Sequence, residues 1–142
     1  MATKFFLIDD DSDDRELFSE ALAAVDNSIV CYYAEDGEDA IEKLYSKRID
    51  KPDVIFLDIN LPAMTGWQCL DKIKTSADTR DVPVIMYSTS SHTRDKNLAR
   101  GLGALCLVTK PHDYKEIKNL LSTVATSITK GDIDAICRQL SV

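Results

Sequence analysis

Asp9 and Asp10 close the apolar run 5–8, Asp58 follows 54–57, Ser88 follows 84–87, and Lys110 with Pro111 comes just after 105–108. Four-residue apolar runs read as strands buried on both faces, as in a parallel sheet. With those strands side by side, all five polar residues reach one edge. That edge is the crevice beyond the carboxyl ends where open α/β sheets bind ligands. A single strand ending in Asp is unremarkable, because turns and caps favour Asp. Four strands sending polar groups to one edge is a far more specific signal. Three carboxylates within a few ångströms repel one another and call for a cation. Hard oxygen donors with free water positions suit Mg²⁺. Lys110 adds a point charge and Ser88 a hydroxyl donor. The set suits a phosphoryl group on a carboxylate, chemistry carried by positioning and charge neutralisation. An Asp carboxylate is a competent covalent acceptor, and Asp58, standing centrally, is expected to be that acceptor.

The elements that must hold these residues alternate along the chain. A fifth stretch, 29–33, is also rich in strand formers. Between the strands lie helical stripes: Leu17, Phe18, Ala21, Leu22 and Val25; Ala40, Ile41, Leu44 and Tyr45; then Trp67, Leu70 and Ile73. Leu98 and Leu102 make a weaker fourth stripe, and Ile117, Leu120, Leu121, Val124 and Ile128 a fifth. Asp13 with Glu16, Thr65 with Gln68, and Asp113 with Glu116 have capping-box spacing. The order βαβαβαβαβα predicts an α/β fold: a five-stranded parallel sheet, doubly wound, with right-handed crossovers and helices on both faces. After residue 130, Gly131 predicts a stop and Asp132 a cap for a final turn or helix.

Length and charge narrow the function. The 142 residues suggest one domain. Of the net charge of −7, residues 9–20 carry −6, with seven acids and one base. The acidity is one cluster on a balanced background, which suits a cation and disfavours nucleic acid. No apolar run approaches the ~18 residues a membrane span needs, and the N-terminus lacks a signal-peptide pattern, so a cytoplasmic location is expected. Cys31, Cys69, Cys106 and Cys137 show neither zinc spacing nor a dense disulfide framework and are expected to be reduced thiols. His92 and His112 are expected in surface or capping roles. Asp11, Asp13 and Asp14 are expected at a helix start, where negative charge is favourable. Trp67 is read as packing, and Thr65 with Gly66 as a cap and turn; no Gly-rich phosphate loop is present.

Leu7-Ile8-Asp9-Asp10, Asp58-Ile59-Asn60-Leu61-Pro62-Ala63-Met64-Thr65-Gly66, Pro83-Val84-Ile85-Met86-Tyr87-Ser88 and Thr109-Lys110-Pro111 strongly resemble the receiver domain of two-component response regulators, in spacing as well as in residues. The resemblance covers residues 4 to about 128 and is to the stand-alone type used in chemotaxis. It implies the flavodoxin-like (βα)5 receiver fold, with Asp58 as the phosphorylated aspartate. It implies Mg²⁺ held by Asp10, Asp58 and the Asn60 carbonyl, with Asp9 acting through water. Ser88 becomes the switch hydroxyl, Lys110 the partner of the phosphoryl or carboxylate oxygens, and Lys110–Pro111 a cis peptide. Two positions depart from the family pattern: Leu107 stands where an aromatic is usual, and Thr89 where a small residue is usual. Leu107 is a poor swinging switch, so a phosphorylation response is expected in residues 89–102.

Residues 1–128 are thus expected to be the receiver, with 129–142 a short extension and no output domain. The expected function is a single-domain response regulator, not an enzyme beyond its own phosphorylation and dephosphorylation. It would be phosphorylated by a sensor histidine kinase or phosphotransfer protein, acting through protein contacts on a downstream target, as a monomer or a phosphorylation-dependent homodimer. The alternative is a pseudo-receiver used for binding or dimerisation alone, against which the intact acidic set argues. A Mg²⁺-dependent phosphatase is disfavoured because Asp58-Ile59-Asn60 lacks a second aspartate.

Overall fold

The computed structural model describes residues 2–89 and 92–140. Five strands, β1 (Lys4–Ile8), β2 (Val30–Ala34), β3 (Val54–Leu57), β4 (Val84–Ser88) and β5 (Cys106–Thr109), form one all-parallel sheet in the order β2-β1-β3-β4-β5. The expected doubly wound fold is the one observed. Helices α1 (Ser12–Val25), α2 (Gly37–Tyr45), α3 (Gly66–Thr75), α4 (Thr93–Gly101) and α5 (Tyr114–Lys130) provide the crossovers and the final cover, and α6 (Asp134–Leu140) follows.

Side chains alternate across the pleat and so build two cores. Phe6, Ile8, Ile55, Leu57, Val84, Met86 and Leu107 face α2, α3 and α4. Phe5, Leu7, Val54, Phe56, Ile85, Tyr87, Cys106 and Val108 face α1 and α5. On this second side, edge-on ring contacts join Phe18, Phe56 and Tyr87, with centroids 5.1–6.0 Å apart. The central strands are buried on both faces, which explains their unbroken apolar runs. The edge strand β2 is only half-buried and exposes Val30.

Helix ends follow local chemistry, with two corrections to the sequence reading. Thr65 and Gln68 form the reciprocal capping box expected, and Asp113 caps α5 through the Glu116 N–H. For α1, Asp11 rather than Asp13 is the cap, accepting from the Asp13 and Asp14 N–H groups. The helix begins at Ser12, so Asp13 and Glu16 already lie within it. In α4, Leu98 is exposed and Ala99 is fully buried. This helix meets the sheet through a small residue, so the expected Leu98–Leu102 stripe is not its buried face, although Leu102 packs at the core margin. Gly131 ends α5 at φ 72°, a left-handed cap where glycine is favoured. α6 then turns back, placing Ile136 fully inside the α1/α5-side core.

Candidate functional site

The strand order reverses between β1 and β3, and a crevice opens at the carboxyl end of such a switch point. Asp9 and Asp58 stand there side by side. The Asp9 N–H donates to Ala34 O at 3.1 Å, and the Asp58 N–H to Ile8 O at 3.0 Å. Ladder hydrogen bonding therefore continues one residue past each strand and fixes both backbones. Asp9 is fully buried and Asp58 nearly so, whereas Asp10 is exposed. One carboxylate oxygen from each of Asp9, Asp10 and Asp58 lies within 4.8 Å of the others.

Lys110 reaches these acids from the end of β5. Its Nζ lies 2.9 Å from Asp9 Oδ2, 2.9 Å from Asp14 Oδ2 and 3.0 Å from Asp58 Oδ2. It also sits 5.5 Å from the Tyr87 ring centroid. Burial alone would lower the Lys110 pKa, but hydrogen bonds to Asp9, Asp14 and Asp58 outweigh that and hold it above its ordinary value. The ammonium is therefore a fixed positive charge. The remaining carboxylate oxygens are aimed by backbone: Asp9 Oδ1 accepts from the Asp11 N–H, and Asp58 Oδ1 from the Asn60 N–H, both at 3.0 Å. Asn60 is exposed in the β3–α3 loop. Ser88 is fully buried at the end of β4, and its carbonyl accepts from the Lys110 N–H at 2.7 Å. Thr89 is exposed, and residues 90 and 91 of the loop expected to respond lie outside the described residues.

The Lys110–Pro111 peptide is trans, not cis as the resemblance implied. Trans is the intrinsically favoured isomer of an X–Pro bond by about 0.5–1 kcal/mol, and Lys110 makes all the contacts above with it.

Three site residues escaped the sequence reading. Asp14 was read only as a helix-start acid, yet it gives Lys110 a third carboxylate. Its signal was its place one helical turn beyond Asp10 on a helix whose N-terminus faces the crevice. Arg15 Nη1 donates to Asp9 O at 2.6 Å and pins the β1–α1 loop. Gly66 lies against the Asp58 backbone so closely that a Cβ there would come within 2.2 Å of Asp58 O.

Burial pushes the Asp9 carboxyl up to about 6, with the Asp58 charge adding and the Asp11 N–H and Lys110 opposing. Its ordinary value is 3.8. Between these limits the folded chain binds the proton more tightly than the unfolded chain. This group's contribution to stability therefore falls as pH rises from 3.8 to about 6 and stays lost above. Asp9→Asn is expected to stabilise the cation-free protein at pH 7 by roughly 1–3 kcal/mol, at ~1.4 kcal/mol per tenfold change in proton affinity. Lys110 keeps Asp14 and Asp58 in the variant. Urea melts at pH 7 and pH 4 check this: the gain must shrink towards the lower pH, and a variant less stable at pH 7 refutes it.

This arrangement has relatives. The sequence profile of the response regulator receiver domain family matches residues 5–122. The chain is 30% identical over 127 residues to a protein-glutamate methylesterase/protein-glutamine glutaminase of Methanococcoides burtonii, covering 88% of this chain and 34% of that protein. It is 35% identical over 117 residues to a protein of the same description from Vibrio vulnificus, covering 82% and 30%. It thus spans about a third of the length of these relatives. The phosphorylated cyanobacterial phytochrome response regulator RcpA superposes with a TM-score of 0.84 at 27% identity, over 92% of this chain and 96% of that one. The Mn(2+)-bound form of response regulator Rcp1 gives 0.77 at 25% identity, over 87% and 92%.

Proposed function

The chain belongs to the response regulator receiver domain family, and from that premise we propose that it accepts a phosphoryl group onto Asp58 and signals through protein contacts. The observation that carries the reading is the crevice itself: Asp58 meets the Lys110 ammonium at 3.0 Å and has an oxygen within 4.8 Å of oxygens of Asp9 and Asp10. The donor is a phosphohistidine on a sensor histidine kinase or phosphotransfer protein. An Asp58 carboxylate oxygen attacks phosphorus, the phosphorus–nitrogen bond breaks, and the imidazole leaves with the electron pair and takes up a proton.

The donor set fits Mg²⁺: three carboxylates on hard oxygen, one of them exposed, leave positions for water and phosphoryl oxygen. Asp10, Asp58 and the Asn60 carbonyl would hold the ion, with Asp9 acting through water. Bound Mg²⁺ supplies neutralisation of the negative charge that gathers when phosphate meets carboxylates. The chain does the positioning. The Asn60 N–H orients Asp58, Lys110 keeps its charge beside Oδ2, and the Ser88 hydroxyl is the donor for a phosphoryl oxygen. The Mn(2+)-bound form of Rcp1 supports a divalent ion here.

Incubation with acetyl phosphate and Mg²⁺, followed by intact-mass measurement, tests the proposal. One phosphate, about 80 Da, should be gained. The gain should vanish in excess chelator, and Asp10→Ala should cut both Mg²⁺ binding and labelling by at least about tenfold, the scale of a lost charged ligand. Full labelling in chelator sinks the metal assignment. Absence of any adduct favours a binding module.

A further inference from the structure

Two thiols meet where the last helix lies against the edge strand. Cys106 on β5 is buried, Cys137 on α6 is half-buried, and Cys137 packs against the core cluster that holds Cys106. Cys137 Sγ also donates to Leu105 O at 3.2 Å, beside Cys106 in sequence. α6 has only seven residues, too few to hold a helix alone. Its fully buried anchor is Ile136, adjacent to Cys137. Cys106 and Gln139 of α6 line one groove with Lys96, Arg100, Asn119 and Thr123 on the α4–β5–α5 side. The other thiols are placed differently. Cys69 is fully buried in the opposite core, where burial pushes its pKa up to about 12, and Cys31 Sγ donates to Tyr32 O at 3.6 Å.

We propose that Cys106 and Cys137 form an oxidation site, a reversible disulfide that fastens α6 to β5 and is made by a small peroxide. The half-buried Cys137 reacts first, because access selects the thiol attacked. Its thiolate attacks one peroxide oxygen, the O–O bond breaks, and the departing hydroxide leaves as water after protonation. The Cys106 sulfur then attacks the resulting sulfenic sulfur. The S–O bond breaks, and the Cys106 proton leaves with the second water. Two thiols are oxidised and one peroxide is reduced to two waters. The new bond closes a loop from 106 to 137 with α5 inside it. It holds α6 beside the α4–β5–α5 groove.

The test uses the full chain, needs no phosphorylation, and so fails or succeeds separately from the Asp58 reading. Hydrogen peroxide at a few molar equivalents should remove about 2 Da from the intact mass. Non-reducing peptide mapping should recover Cys106 joined to Cys137, with Cys31 and Cys69 still alkylatable. Amide exchange of residues 134–140 should slow by at least about tenfold on oxidation and recover with dithiothreitol. Cys137→Ser should show neither change. Linkage to any other cysteine, linkage between chains, oxidation of Cys137 to sulfinic acid without a bond, no reaction with peroxide, or unchanged exchange in the linked protein overturns the proposal.

Discussion

An Asp58→Asn chain given acetyl phosphate and Mg²⁺ is expected to gain no phosphate while keeping its fold. The amide is not a nucleophile towards phosphorus, and no neighbouring carboxylate can replace Asp58 on equal terms. Asp9 is fully buried with one oxygen on the Asp11 N–H and the other on Lys110. Asp10 is exposed at the rim, and Asp14 is on the first turn of α1. The fold persists because Asn retains an oxygen for the Asn60 N–H and Lys110 retains Asp9 and Asp14. Removing one of several crowded carboxylates also relieves repulsion. Intact mass reads the first half and a thermal melt the second. The same adduct in the variant, mapped to another residue, would refute Asp58 as the acceptor.

The second large effect comes from a residue with no functional group. Gly66→Ala is expected to destabilise the protein by about 3 kcal/mol, at the upper end of overpacking costs, and to slow labelling of Asp58. A Cβ at Gly66 would come within 2.2 Å of Asp58 O, 2.6 Å of Ile59 Cα and 3.0 Å of Asp58 C. All three are backbone atoms of the acceptor segment, so no side chain can turn aside. The Gly66 N–H also donates to Ile59 O at 2.8 Å, clamping α3 to that segment. The clash must either push α3 outward or shift Asp58 away from Lys110. Gly101→Ala is the control: nothing lies within 4 Å of a Cβ there, and alanine favours the helix end by up to ~1 kcal/mol. At roughly 2–4 °C per kcal/mol for a chain of this size, the two variants should part by about 6–16 °C. Equal melting temperatures and equal labelling rates would refute the close-approach argument.

The strands and their order of appearance were legible because a sheet covered on both faces demands unbroken apolar runs, and residues 54–57 and 84–87 admit no other ready reading. The convergence of Asp9, Asp10, Asp58 and Lys110 was legible for the same reason: parallel strands point their carboxyl ends one way. Thr65, Asp113 and Gly131 announced helix ends through local chemistry that needs no distant partner. What failed depended on distance or on small residues. Asp14 looked like any helix-start acid, and only the approach of Lys110 from 96 residues away gives it a role. Ala99 outdoes Leu98 as the buried residue of α4 because closeness to the sheet, not side-chain size, sets which face is covered. The left-handed φ of 61° at Ala63 is set by loop surroundings that no residue type encodes, whereas the trans bond at Lys110–Pro111 is the intrinsic X–Pro preference that the family resemblance had set aside. Gly66 read as a turn, whereas its lack of a side chain is what lets α3 rest on the acceptor backbone. Which groups gather at the sheet edge follows from periodicity and strand polarity, both local in the chain. Which charge each group meets, and which backbone leaves no room, follows from contacts between segments far apart in the chain.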